Sequence, residues 1–72
     1  MTDEEFIISR NKIGVSQEKL ATLLNMTRRN VLYYESGMVD IPKLQAHKFN
    51  LVLFIHSKGL LDEFYNKQLA GE

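Results

Sequence analysis

The chain has 72 residues, of which 44% are hydrophobic, so it is long enough for one small domain over residues 1–72 and too short for two. It contains no cysteine, which excludes a disulfide framework and a cysteine-based metal site. No apolar run approaches the roughly 20 residues that span a bilayer, and the acidic start Met-Thr-Asp-Glu-Glu is unlike a basic signal peptide. We therefore expect a cytoplasmic protein whose small core is supplemented by tight helix packing or self-association.

Basic and acidic residues are equal in number, nine of each, but they are not evenly distributed. Positions 10–48 carry seven of the basic residues and three of the acidic ones. The first nine residues carry three acidic residues and no basic one. The middle of the chain therefore predicts a positively charged surface on a molecule with no net charge.

Two helices are predicted in the first part of the chain. Thr2, followed three residues later by Glu5, is a capping box and predicts a helix near residues 3–12. Ser16 is a suitable N-cap for a second helix, whose apolar residues recur with a 3.6-residue period. This helix is expected to end at Asn25, because asparagine tolerates the left-handed conformation that a sharp reversal needs.

Three further helices complete the predicted fold. The third extends from the N-cap Thr27 to about Ser36. The fourth opens at Pro42 and ends at Gly59, and the fifth occupies residues 60–69. No strand-like alternation or repeat is present, so the sequence predicts an all-α fold, a compact bundle of about five short helices.

A helix-turn-helix pattern is found over residues 16–37, with the sequence SQEKLATLLNMTRRNVLYYESG. At 100° per residue, Val31 and Tyr34 of the second helix of this motif point toward the core. The opposite face is free to enter a DNA major groove, which is about 12 Å wide. The predicted base contacts on that face are Arg28, Arg29, Leu32 and Tyr33.

Residues 10–42 closely resemble the Cro, lambda-type repressor and Xre family of bacterial and phage DNA-binding domains. The resemblance implies a lambda-repressor-like domain that binds a palindromic operator as a homodimer, with recognition helices about 34 Å apart. The resemblance also implies that Gln17 binds a DNA phosphate and that Arg10 and Glu35 form a structural ion pair between the first and third helices. The resemblance to this family rests on Arg10, Gly14, Ser16-Gln17, Leu20-Ala21, Thr27, Val31, Tyr34-Glu35 and Gly37.

Two residues depart from the family pattern. Asn25 stands where glycine is usual at the turn, and Leu32 stands where a small polar residue is common. A hydrogen bond to a base, as a polar residue at this position could make, is therefore not expected of Leu32. Its side chain suits contact with a thymine methyl group instead. Weaker candidates for phosphate contacts are the polar residues Asn30, Lys43 and Lys19.

The second half of the chain has more apolar residues than one face of a small core can use. A stripe of Leu44, Leu51, Val52 and Ile55 is expected to face the core. The surplus over residues 49–69 predicts a two-fold dimer interface. Its expected members are Phe49, Leu53, Leu60, Leu61 and Phe64.

No arrangement of residues suggests catalysis, a metal site or a cofactor, and no small-molecule ligand is indicated. His47 and His56 are nine residues apart on one helix and cannot share a metal ion. We therefore expect a DNA-binding transcriptional regulator, and specifically a repressor. The alternative is a protein-binding helical module, such as an antitoxin or adaptor, whose helix-turn-helix is structural.

Overall fold

The computed structural model describes residues 1–71, which form five helices and no strand. This confirms the predicted all-α class. No helix in this part of the chain is long and apolar enough to cross a membrane. The helices are α1 (Asp3–Ile13), α2 (Gln17–Leu23), α3 (Arg28–Ser36), α4 (Lys43–Ser57) and α5 (Leu61–Leu69).

The predicted capping box begins α1. The Thr2 hydroxyl accepts the Glu5 backbone N–H at 3.1 Å, and the Glu5 carboxylate accepts the Thr2 backbone N–H at 3.0 Å. The Thr2 backbone N–H, and then the Thr2 hydroxyl, lower the pKa of Glu5 because these hydrogen bonds favour the charged carboxylate. Gly14 ends the helix in the left-handed conformation, with φ of 70°. Local sequence signals therefore fix both ends of α1.

A sharp turn joins α2 to α3. Asn25 has φ of 54° and is the only residue other than glycine with a positive φ within residues 1–71. The next residue, Met26, returns its backbone N–H to the Ala21 carbonyl at 2.9 Å. The Thr27 side chain then caps α3 by accepting the Asn30 N–H. The reversal predicted at Asn25 is confirmed.

Three aromatic side chains join α1, α3 and α4 in the core. The Phe6 ring lies edge-on to Tyr34, with 5.8 Å between centroids, and edge-on to Phe49 at 4.9 Å. Phe6 and Phe49 are completely buried. Edge-to-face geometry is favourable for aromatic pairs, so these contacts hold α3 in place against the rest of the bundle.

The face of α4 that packs on the core differs from the predicted one. Phe49 and Val52 are buried, whereas Leu44 and Leu51 are 66% and 50% exposed. The prediction was wrong for Leu44 and Leu51 because α4 is apolar nearly all round, and periodicity alone then cannot identify the inward face.

The predicted dimer interface changes accordingly. Phe49 and Leu61 are buried within one chain and offer no surface to a second subunit, so their assignment to the interface was wrong. Leu53 and Phe64 are partly buried and pack against the core. Of the five residues predicted for the interface, only Leu60 is exposed.

Candidate nucleic-acid interface

The two faces of α3 have different surroundings, as the sequence predicted. Val31 and Tyr34 are buried against α1 and α2. Four residues on the other side are exposed and form what we call the outer face of α3. They are Arg28, Arg29, Leu32 and Tyr33.

The two arginines of the outer face have no ionic partner. The salt bridges within residues 1–71 join Arg10 to Glu35 and Lys19 to Asp62, and neither involves Arg28 or Arg29. The first turn of α3 contains no acidic residue. Cations at a helix N-terminus oppose the helix dipole, so this placement is unfavourable for folding. Both guanidinium groups are available to an external anion.

A polar network fixes α3 to the rest of the domain. The Arg10 Nε donates to Glu35 Oε2 at 2.6 Å, and its Nη2 donates to Glu35 Oε1 at 3.3 Å. The Arg10 Nη1 donates to the Val15 carbonyl at 3.0 Å. The side chains of Arg10 and Glu35 are 18% and 9% exposed. The predicted ion pair between Arg10 and Glu35 is present, and its structural role stays a prediction.

Gln17 belongs to the same network, which the sequence did not reveal. Its Nε2 donates to Glu35 Oε1 at 3.0 Å, and the side chain is partly buried. The side chain is therefore held rather than free, although an amide nitrogen carries a second hydrogen. The contact between Gln17 and phosphate stays a prediction that must use this remaining hydrogen or the backbone.

Lys19 is also engaged within the domain. Its Nζ lies 3.7 Å from Asp62 Oδ1 and 4.7 Å from the centroid of the Tyr65 ring. Both partners lie in α5, so Lys19 joins α2 to α5. The sequence could not show this, because the partners are more than forty positions away.

The remaining candidates for phosphate contacts, Asn30 and Lys43, are exposed. Lys43 begins α4, and Pro42 before it provides no side-chain cap for the helix. The first backbone N–H groups of α4 therefore have no side chain that caps them, and Lys43 lies at this end of the helix.

Two exposed apolar residues beside α3 were not predicted. Met38 is 76% exposed, and Val39 lies next to it in the loop after α3. Together with Tyr33 they line a shallow recess of about 180 Å³. A signal was present in the sequence, because two apolar residues between Gly37 and Asp40 are unusual in a short polar turn.

No protein-family model, curated protein or solved structure matches this chain. The exposed, unpaired arginines of α3 are therefore the main guide to its function.

Proposed function

We propose that this chain is a sequence-specific, double-stranded DNA-binding regulator of the Cro, lambda-type repressor and Xre class. It would act as a homodimer on a palindromic operator and repress transcription in a bacterial or phage-infected cell. The observation that carries this proposal is the outer face of α3, where Arg28 and Arg29 are exposed and unpaired in a first turn that contains no acidic residue.

The side chains of the outer face have groups that suit base edges. Arginine can donate two parallel hydrogen bonds to guanine O6 and N7, which contributes about 1–3 kcal/mol of discrimination. Leu32 can contact a thymine methyl group, and Tyr33 can offer its hydroxyl while its ring packs along the groove. Leu32 and Tyr33 are 41% and 38% exposed, so both are accessible from solvent.

Contacts with phosphates would orient α3 in the groove. Asn30 and Lys43 are exposed and suited to this role. Gln17 can contribute its remaining amide hydrogen, and its attachment to Glu35 would keep that hydrogen in a fixed direction. Lys19 is a weaker candidate, because its ammonium lies beside Asp62 and the Tyr65 ring.

The second candidate is a protein-binding helical module in which α2 and α3 are only structural. The exposed apolar group of Tyr33, Met38 and Val39 favours it, because a contiguous apolar patch is common at protein interfaces. The absence of net charge on the chain is also compatible with this alternative.

Selection of bound duplexes from a random pool separates the two candidates. We expect the full chain to enrich a palindrome, since a two-fold dimer presents the same α3 to each half-site. The spacing of the half-sites should be about one helical turn, or about 34–36 Å. Recovery of unenriched sequences after repeated rounds would contradict the proposal.

The two arginines are tested one at a time on that selected operator. Arg28→Ala or Arg29→Ala should relax the preference at one base pair if the arginine reads a base, with a loss of about 1–3 kcal/mol. If the arginine contacts a phosphate, the variant should bind all sequences more weakly by a similar factor. Lys67→Ala is a matched control, because it removes one exposed positive charge from α5. Equal losses for all three variants would mean that only net charge matters.

A further inference from the structure

A groove of about 170 Å³ lies between α4 and α5, and we call it the α4–α5 groove. Leu23 and Val52 form its base, because both line it and each is only 2% exposed. The residues along its sides come from the two helices and are Lys48, Leu51, Ile55, Phe64 and Gln68.

The side of the groove formed by α4 continues as exposed apolar surface. Lys48, Leu51 and Ile55 follow one another at intervals of three and four positions, so they share one side of the helix. Leu44 lies four positions before Lys48 and extends this side beyond the groove. Leu44 and Leu51 are 66% and 50% exposed. At 1.5 Å per residue, the apolar surface therefore continues for about 10 Å along α4.

The size of the groove indicates what kind of group it accepts. Sites that bury small molecules usually have volumes of about 300–1,000 Å³, which is larger than this groove. A cavity of about 150 Å³ holds one benzene ring, so the groove has room for one large apolar side chain. A groove of this kind beside an exposed apolar strip fits an amphipathic helix that places its apolar residues along one face.

The charge around the groove favours an acidic partner. Lys48 is the only charged residue that lines the groove within residues 1–71. Residues 43–58 contain three lysines and no acidic residue. Gln68 adds a hydrogen-bond donor, because its Nε2 donates one hydrogen to the Leu23 carbonyl at 3.5 Å and carries a second. Electrostatic complementarity therefore requires carboxylates on the partner.

We propose that the α4–α5 groove binds an acidic amphipathic helix of another protein. One apolar residue of that helix enters the groove between Leu51 and Phe64, and another, seven positions away, contacts Leu44. A carboxylate one turn from the first residue faces Lys48, since residues three or four positions apart are neighbours on a helix. The groove shares no residue with the outer face of α3, so this proposal goes beyond the proposed DNA binding and does not depend on it.

Selection from a random peptide library displayed on phage tests the kind of partner. The peptides have about 16 residues, which is enough for four helical turns. We expect the immobilised full chain to enrich peptides with apolar residues at positions i, i+3 or i+4, and i+7, and with Asp or Glu one turn from an apolar residue. Selection without this enrichment, or enrichment of basic peptides, would overturn the proposal.

Variants of the chain locate the binding site of the most enriched peptide, with affinity measured by fluorescence anisotropy. Leu51→Ser should weaken binding by about tenfold or more, because it removes apolar surface from the groove. Ile8→Ser is the matched control, because it removes an apolar side chain that is 64% exposed on α1. Circular dichroism checks that both variants fold. Equal affinities for Leu51→Ser and the parent chain would overturn the proposal.

Reversal of the charge at Lys48 tests the acidic character of the partner and serves if Leu51→Ser is unfolded. Lys48→Glu should weaken binding of the acidic peptide by roughly threefold to tenfold. Binding should recover when the facing acidic residue of the peptide is replaced by lysine. Lys12→Glu on α1 is the control, because it reverses an exposed charge away from the groove. Unchanged affinity for Lys48→Glu, or an equal loss with both peptides, would overturn the proposal.

Other occupants of the groove give different results. Self-association of the full chain that Leu51→Ser abolishes would assign the groove to a second copy and overturn the proposal. Binding to vesicles of phosphatidylcholine and phosphatidylglycerol, lost in the same variant, would assign it to a membrane and also overturn it. Arg28→Ala/Arg29→Ala should bind the peptide like the parent chain, so failure of peptide binding and failure of DNA binding can be distinguished.

Discussion

Tyr34→Ala is expected to unfold the domain or to lower its free energy of unfolding by about 3–5 kcal/mol, as is usual when a large buried aromatic side chain is removed. The Tyr34 ring packs edge-on against Phe6, which in turn packs against Phe49, so the loss affects three helices. Urea denaturation followed by circular dichroism measures the change. Tyr34→Phe is the control and should be nearly neutral, because it keeps the ring that packs edge-on against Phe6.

The adjacent tyrosine should behave in the opposite way. Tyr33 is exposed on the outer face of α3, so Tyr33→Ala should leave the domain folded and weaken DNA binding. Binding is measured on the selected operator under the conditions used for the parent chain. A stable Tyr34→Ala domain, or an unfolded Tyr33→Ala domain, would contradict the orientation of α3 described above.

Arg10→Met should lower the free energy of unfolding by about 3–5 kcal/mol, because it leaves the largely buried Glu35 carboxylate without its cation. The effect should exceed that of removing an exposed pair such as Lys19 and Asp62, in which the Asp62 side chain is 93% exposed. Denaturation of Arg10→Met and Lys19→Met, measured side by side, provides this comparison.

A double variant identifies the cause of that loss. Arg10→Met/Glu35→Gln removes the stranded charge and keeps an oxygen that can accept the Gln17 hydrogen bond, so it should recover part of the stability. If Arg10→Met folds with parental stability and loses only DNA binding, then Arg10 contacts DNA and the structural interpretation is wrong.

Local signals predicted most of the fold. The capping box at Thr2, the side-chain cap at Thr27 and the left-handed turn at Asn25 each act within a few residues, and all three are present in the structure. The two faces of α3 were predictable for the same reason. Val31 and Tyr34 lie three positions apart, which places them on one narrow side of the helix, and these are the two buried residues of α3.

Contacts between distant segments were not predictable from the sequence. The attachment of Gln17 to Glu35 depends on how α2 crosses α3, which local spacing does not fix. The inward face of α4 could not be chosen, because apolar residues occur on nearly every side of that helix. Phe49, rather than Leu51, packs against Phe6 of α1. Tertiary packing therefore determines which surface of α4 is left free.

Binding of the full chain to a random-sequence duplex, measured over a range of salt concentrations, tests the central claim without knowledge of the operator. If the outer face of α3 and its neighbours contact phosphates, the logarithm of the association constant should fall linearly with the logarithm of salt concentration. The slope should be about 0.9 for each neutralised phosphate, and it should be smaller for Arg28→Ala/Arg29→Ala. A flat response, or no binding at low salt, would contradict the assignment of this face to DNA.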